Sequence, residues 1–204
     1  LSAKQWVEQA IVAVRQKDWK NARLYFGAAL DGEAEGDTSF GLGDAAFSSI
    51  RVLSDSLFAA GGTAYEQGDL DAAVSAYMQV IKVDSERTDA YTLLGLIRAD
   101  QGASSHAKQY LFDALMVDVA YVPALSILGS VFQEGQNLDT ALALYRQAWA
   151  LEPTASGVEL FMGQVYLMQG NRDSARVVLS RVVQREPNNS QARELLNEAG
   201  GQEL

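Results

Sequence analysis

Small and large apolar positions recur along this chain at a fixed step rather than at random. Gly61, Gly95, Gly129 and Gly163 stand 34 residues apart, and Ala73, Ala107, Ala141 and Ala175 keep the same step twelve residues later. Four residues after each alanine comes a large ring or aliphatic side chain, Tyr77, Leu111, Tyr145 and Leu179. Two later units close with a helix stop, Pro153 and Pro187, where the earlier ones have Ser85 and Val119. Columns sharing one register without an insertion are the mark of a stacked repeat architecture. With three prolines and no long run of alternating Val, Ile or Thr, the pattern predicts helices and no sheet.

Units are predicted at 54–87, 88–121, 122–155 and 156–189, preceded by a degenerate one at 3–36 with Trp6, Ala10, Ala22, Phe26 and Ala29 in the matching columns. In 190–199, Ala192, Leu195, Leu196 and Ala199 recur at helical spacing, predicting a closing helix that covers the last unit, with Gly200 as its stop. Seventeen residues, 37–53, interrupt the register once. From Asp44, a candidate N-cap, Phe47, Ile50, Leu53 and Leu57 carry an apolar stripe that would extend the next helix backward. The loop at 31–43 is either a flexible connection or a segment that folds over a binding face or docks another chain.

A glycine inside a helix costs about 1 kcal/mol against alanine, so four at one position imply a close helix crossing. Each glycine is expected to face the alanine of the second helix so that the two backbones approach, while Tyr77 or Tyr145 packs over the neighbouring unit. One hairpin cannot bury both faces, so the units are expected to stack into a single domain spanning 1–204.

The quoted residues resemble the tetratricopeptide repeat, a helix-turn-helix unit of 34 residues. Leu125, Leu128, Gly129, Phe132, Ala141, Tyr145 and Pro153 carry the closest match, followed by Met162, Gly163, Tyr166, Ala175, Leu179 and Pro187. The resemblance implies an all-α, right-handed superhelical array whose first helices line a concave groove that receives peptides or partner helices. Transferred residue by residue, it places Phe58, Tyr65, Asp89, Leu93, Leu96, Asp100, Ile127, Ser130, Glu134, Phe161 and Gln164 in that groove. Ala59, Thr92, Ser126, Leu160, Gly62, Gln133 and Met168 are placed beside them, and Asp55 at the edge. Some members of the family hold a chaperone's free carboxylate with Lys, Asn and Arg. Here Val7, Ile11, Ala59, Asp89 and Leu93 occupy those positions, so that clamp is absent.

Composition narrows the ligand. A net charge of −10 disfavours nucleic acid and anionic membranes, whose sites need clustered bases. An apolar and acidic lining instead suits a protein or peptide segment that is apolar or amphipathic and partly basic. Self-assembly into a homo-oligomeric scaffold is the alternative.

Enzymatic chemistry finds no purchase in the sequence, and no cofactor or metal is expected. No cysteine is present, and His106, the one histidine, sits beside the packing alanine of a second helix. Residues 31–42 imitate a calcium loop, but Leu42 stands where the bidentate acid belongs. Gly41-Leu42-Gly43-Asp44 imitates a phosphate loop without a preceding strand, and Asn188-Asn189-Ser190 reads as a turn between units. No run of 18 apolar residues occurs, so no direct membrane insertion is expected of this segment. Cytoplasm and periplasm both stay open. Because the chain begins at Leu1, so does an upstream signal, anchor or further repeats.

Overall fold

The structure is a computed structural model that describes residues 42–154 and 156–200, together with Gln9, Val12, Asn21 and Tyr25. Nine helices follow one another among the ordered elements described: α1 (Leu42–Glu66), α2 (Leu70–Val83), α3 (Thr88–Asp100), α4 (Ser104–Val117), α5 (Val122–Glu134), α6 (Leu138–Leu151), α7 (Ser156–Met168), α8 (Arg172–Arg185) and α9 (Ser190–Gly200). No strand occurs among the described residues. The unit expected at 3–36 and the calcium-like loop lie outside them, apart from those isolated positions and Leu42.

The described part of the register breaker, from Leu42 on, is helix. α1 begins at Leu42 and runs unbroken for 25 residues, so Asp44 lies inside the helix rather than capping it, and the glycine-rich run is helical from Leu42 onward. The half-buried apolar stripe at Ile50, Leu53 and Leu57 outweighed the local preference of Gly43 and Asp44 for a turn.

Each first helix hands over to its second through one repeated turn. Gly68, Gly102 and Gly170 adopt φ of 78°, 73° and 74°, the left-handed region that glycine reaches without a Cβ penalty. The next residue's N–H then donates back five residues, as Asp69 does to the Ala64 carbonyl at 2.9 Å and Asn171 to the Tyr166 carbonyl at 2.8 Å. That bond satisfies a carbonyl orphaned by the helix end. After Gly68 and Gly170 the next residue also caps the new helix: Asp69 accepts from the Ala72 N–H and Asn171 from the Ser174 N–H. Helix stop and helix start are thus fused into adjacent residues.

The chain divides into two compact units, Leu1–Ala90 and Tyr91–Leu204, with the division inside the first turn of α3. In the first, α1 packs on α2, burying Ala73, Val74, Tyr77 and Val80. In the second, the α5–α6 and α7–α8 hairpins share a core of Leu125, Tyr145, Val165, Leu179 and Val182. α9 covers the α7–α8 hairpin with Ala192 and Ala199, and the Ala199 carbonyl accepts from Arg176 at 3.2 Å.

Candidate interaction face

The glycine column sets the geometry of the first helices. A Cβ added at Gly129 would lie 2.5 Å from Tyr145 Cε1, and one at Gly163 would lie 2.5 Å from Leu179 Cδ2. Gly61 meets Tyr77 in the same way, and Gly95 meets Leu111, so the large side chain rather than the expected alanine fills the space each glycine leaves. The glycine side of each first helix is therefore pressed against its second helix. The residues two before and one or five after each glycine turn away from that contact, at roughly 100–200° on a helix of 3.6 residues per turn.

In the second unit this geometry leaves Leu93, Leu96, Ile127, Ser130, Phe161 and Gln164 half-buried, and Asp100 and Glu134 exposed. Two neighbours expected on the same face are instead core residues: Thr92 is 3% exposed and Leu160 8%. Three residues correspond to about 300° of helix, which swings the position three before the glycine back toward the second helix. Ser130 spends its hydroxyl on the Ile127 carbonyl at 2.8 Å.

Tyr145 couples the core to that face. Its buried ring fills the space left by Gly129 and stacks on Phe161, with centroids 5.4 Å apart and planes 19° apart. Its hydroxyl donates to Gln133 Oε1 at 3.1 Å, while Gln133 Nε2 reaches Met168 Sδ at 3.6 Å. Burial, and secondarily the charge of Glu134, raise the Tyr145 hydroxyl well above the usual tyrosine range.

The first unit carries Phe58, Tyr65 and Asp89, all half-buried. Here a cation that the sequence reading missed changes the electrostatics. Arg87 donates to both Asp89 carboxylate oxygens at 3.0 Å, to Asp55 Oδ1 at 2.7 Å and to Ser54 Oγ at 3.1 Å. Its guanidinium lies 4.6 Å from the centroid of the Phe58 ring. Asp89 is thus neutralised within its own unit rather than presented as a bare negative charge, and its bonds to Arg87 raise the arginine further. Phe58 contacts both Arg87 and the tilted ring of Tyr77, whose centroid is 5.3 Å away.

A second ionic cluster was also unforeseen. Glu159, 1% exposed on α7, is held between Arg181 at 3.0 Å and Arg185, and Arg181 lies over the Trp149 ring at 5.5 Å. Because the two arginines sit one turn apart on α8, the cluster fastens the start of α7 to the end of α8. It is a structural strut between helices. His106 is exposed, and no group of His, Cys, Asp or Glu among the described residues could hold a metal ion. None of the described helices is long and apolar enough to cross a membrane.

These hairpins define a helical repeat protein whose first helices present a mixed apolar and polar face. Sequence models of the tetratricopeptide repeat match residues 58–115 and 132–199, between them more than half of the chain. The chain belongs to the tetratricopeptide repeat family. Over 83 residues it is 34% identical to the BBSome complex member bbs-4 of Caenorhabditis elegans, a match covering 41% of this chain and 18% of that protein. The MamA crystal structure superposes with a TM-score of 0.63 at 24% identity, over 73% of this chain and 83% of that one. YrrB, described as a tetratricopeptide repeat protein with an unusual peptide-binding site, superposes with a TM-score of 0.60 at 16% identity, over 93% of this chain and 89% of that one. The expected fold class, all-α and built from helix-turn-helix repeats, is the one observed.

Proposed function

We propose that this chain is a protein-binding module, not a catalyst, and that the first-helix face of its second unit receives an apolar or amphipathic, partly basic segment of another protein. The observation that carries this reading is the half-buried row Leu93, Leu96, Ile127 and Phe161, flanked by the exposed acids Asp100 and Glu134. Apolar side chains in such a row offer pockets for anchor residues, and the acids favour lysine or arginine beside them. YrrB, a protein of the same fold described by its peptide-binding site, lends support by analogy. Phe58, Tyr65 and Asp89 belong to the first unit. There Asp89 serves chiefly to hold Arg87, so it adds little negative charge for a ligand.

The test uses peptides selected from a displayed random library on the immobilised chain. Leu96→Glu combined with Ile127→Glu should abolish their binding while circular dichroism stays helical. Undiminished binding would refute the assignment of the face.

Self-assembly is a second reading, favoured by one feature. The outer side of α4 and the turn after it expose Phe112 by 47%, Met116 by 85% and Val119 by 69%. Light scattering that rises with concentration would support it, and a constant monomer mass would dismiss it.

A further inference from the structure

Resting on the binding reading above, we infer that Gln133, oriented by Tyr145, donates its side-chain amide N–H to a main-chain carbonyl of the bound segment. The Tyr145 ring has no freedom to turn away. It is fully buried, backed by Gly129 and stacked on Phe161, so its hydroxyl is fixed in space. That hydroxyl takes the carbonyl end of Gln133, which leaves the amide nitrogen directed at the exposed Met168 side chain. The nitrogen carries two donors, and its contact is the Met168 thioether at 3.6 Å, a weak acceptor. An amide fixed in this way is a pre-oriented donor, which lowers the ordering cost of binding.

The acceptor it meets is neutral. Lys108 lies over the ring of Phe132, but Glu134 is the residue next to Gln133 and the chain carries a net charge of −10, so a neutral acceptor is favoured over an incoming carboxylate or phosphate. A peptide carbonyl has the required lone pairs without the charge, and every residue of an extended segment offers one.

The sequence carries a parallel signal. Twelve residues before each large second-helix residue of the second unit stands a partner of matching character: Gln133 before Tyr145, but Ala99 before Leu111 and Leu167 before Leu179. Within the second unit, a polar group appears at this position only where a hydroxyl comes through from behind to orient it.

Peptides selected on the unaltered chain would be resynthesised with a backbone ester at each position in turn, which weakens one carbonyl acceptor at a time. Affinities would be measured by calorimetry for the chain, Gln133→Ala and Tyr145→Phe. One ester position should weaken binding to the chain about tenfold, an amount expected for a single hydrogen bond, but less than twofold for Gln133→Ala. Tyr145→Phe, which keeps the ring, should give an intermediate loss at that same position and no change elsewhere. Equal ester losses in the chain and in Gln133→Ala at every position would overturn the inference. Peptides that lose binding with the Leu96→Glu, Ile127→Glu pair yet show no such coupling would refute Gln133 alone. Peptides indifferent to that pair would refute the binding face itself.

Discussion

The hairpins α3–α4 and α5–α6 are built on the same glycine crossing, yet their turns fail in opposite ways. In α3–α4 the turn has its glycine, Gly102 at φ 73°, but the capping position is Ala103, which offers no side-chain acceptor to α4. In α5–α6 the cap is intact, Asn137 accepting from the Thr140 N–H at 3.3 Å, but the left-handed position is Gln136 at φ 60°. Both keep the backbone bond of the turn, Ala103 N–H to the Arg98 carbonyl at 2.8 Å and Asn137 N–H to the Phe132 carbonyl at 2.9 Å. A left-handed residue and a cap are thus separable requirements, and each hairpin survives the loss of one because buried packing carries the fold. Gly95 against Leu111 and Gly129 against Tyr145 supply that packing.

The largest effect should come from attacking what the two hairpins share. Gly129→Leu drives a side chain into the Tyr145 ring and should cost about 1–3 kcal/mol by thermal denaturation. A melting temperature equal to the parent's would contradict the register. Repairing each turn should then help by comparable amounts. Gln136→Gly relieves a left-handed glutamine and should stabilise by about 1 kcal/mol. Ala103→Asn supplies the missing cap and should add up to about 1 kcal/mol in urea titrations. The opposite change sharpens the comparison: Asn137→Ala leaves the second turn with neither device and should cost about 1 kcal/mol in the same titrations. An unchanged urea midpoint for that variant would show that the cap contributes nothing there.

The smallest effect near neutral pH concerns Tyr145. Its hydroxyl stays protonated in the fold beyond the ordinary tyrosine value of 10.0, so above that pH the unfolded chain loses its proton first. The unfolded state then binds fewer protons, and stability falls as pH rises past about 10. Tyr145→Phe should flatten that alkaline decline in urea midpoints measured at pH 9 and 11, and an unchanged slope would count against it.

The fold was legible because sterics leave a periodic trace. A glycine pressed against a large side chain cannot be replaced cheaply, so Gly61, Gly95, Gly129 and Gly163 mark the crossing in the sequence itself. Gly68, Gly102 and Gly170 carry an equally readable step at the turns, and Asp69, Asn137 and Asn171 mark three of the caps. The candidate face was less legible. Leu93, Leu96 and Ile127 came from the family resemblance, position by position, but the burial of Thr92 and Leu160 depends on how far each helix is rotated into its neighbour. Arg87 had a local partner in Asp89, two residues on, but its bonds to Asp55 and Ser54 had no local signal, because only packing brings those residues to the guanidinium. Glu159 likewise gains its arginines from the far end of α8.

The central claim, that the first-helix face of the second unit holds the partner, is tested most directly by photo-crosslinking. A benzoylphenylalanine would be placed at Leu96, at Ile127 or at Val177, which is 61% exposed on the second helix α8. With a library-selected peptide, positions 96 and 127 should crosslink and position 177 should not. Crosslinks from 177 alone would contradict the account.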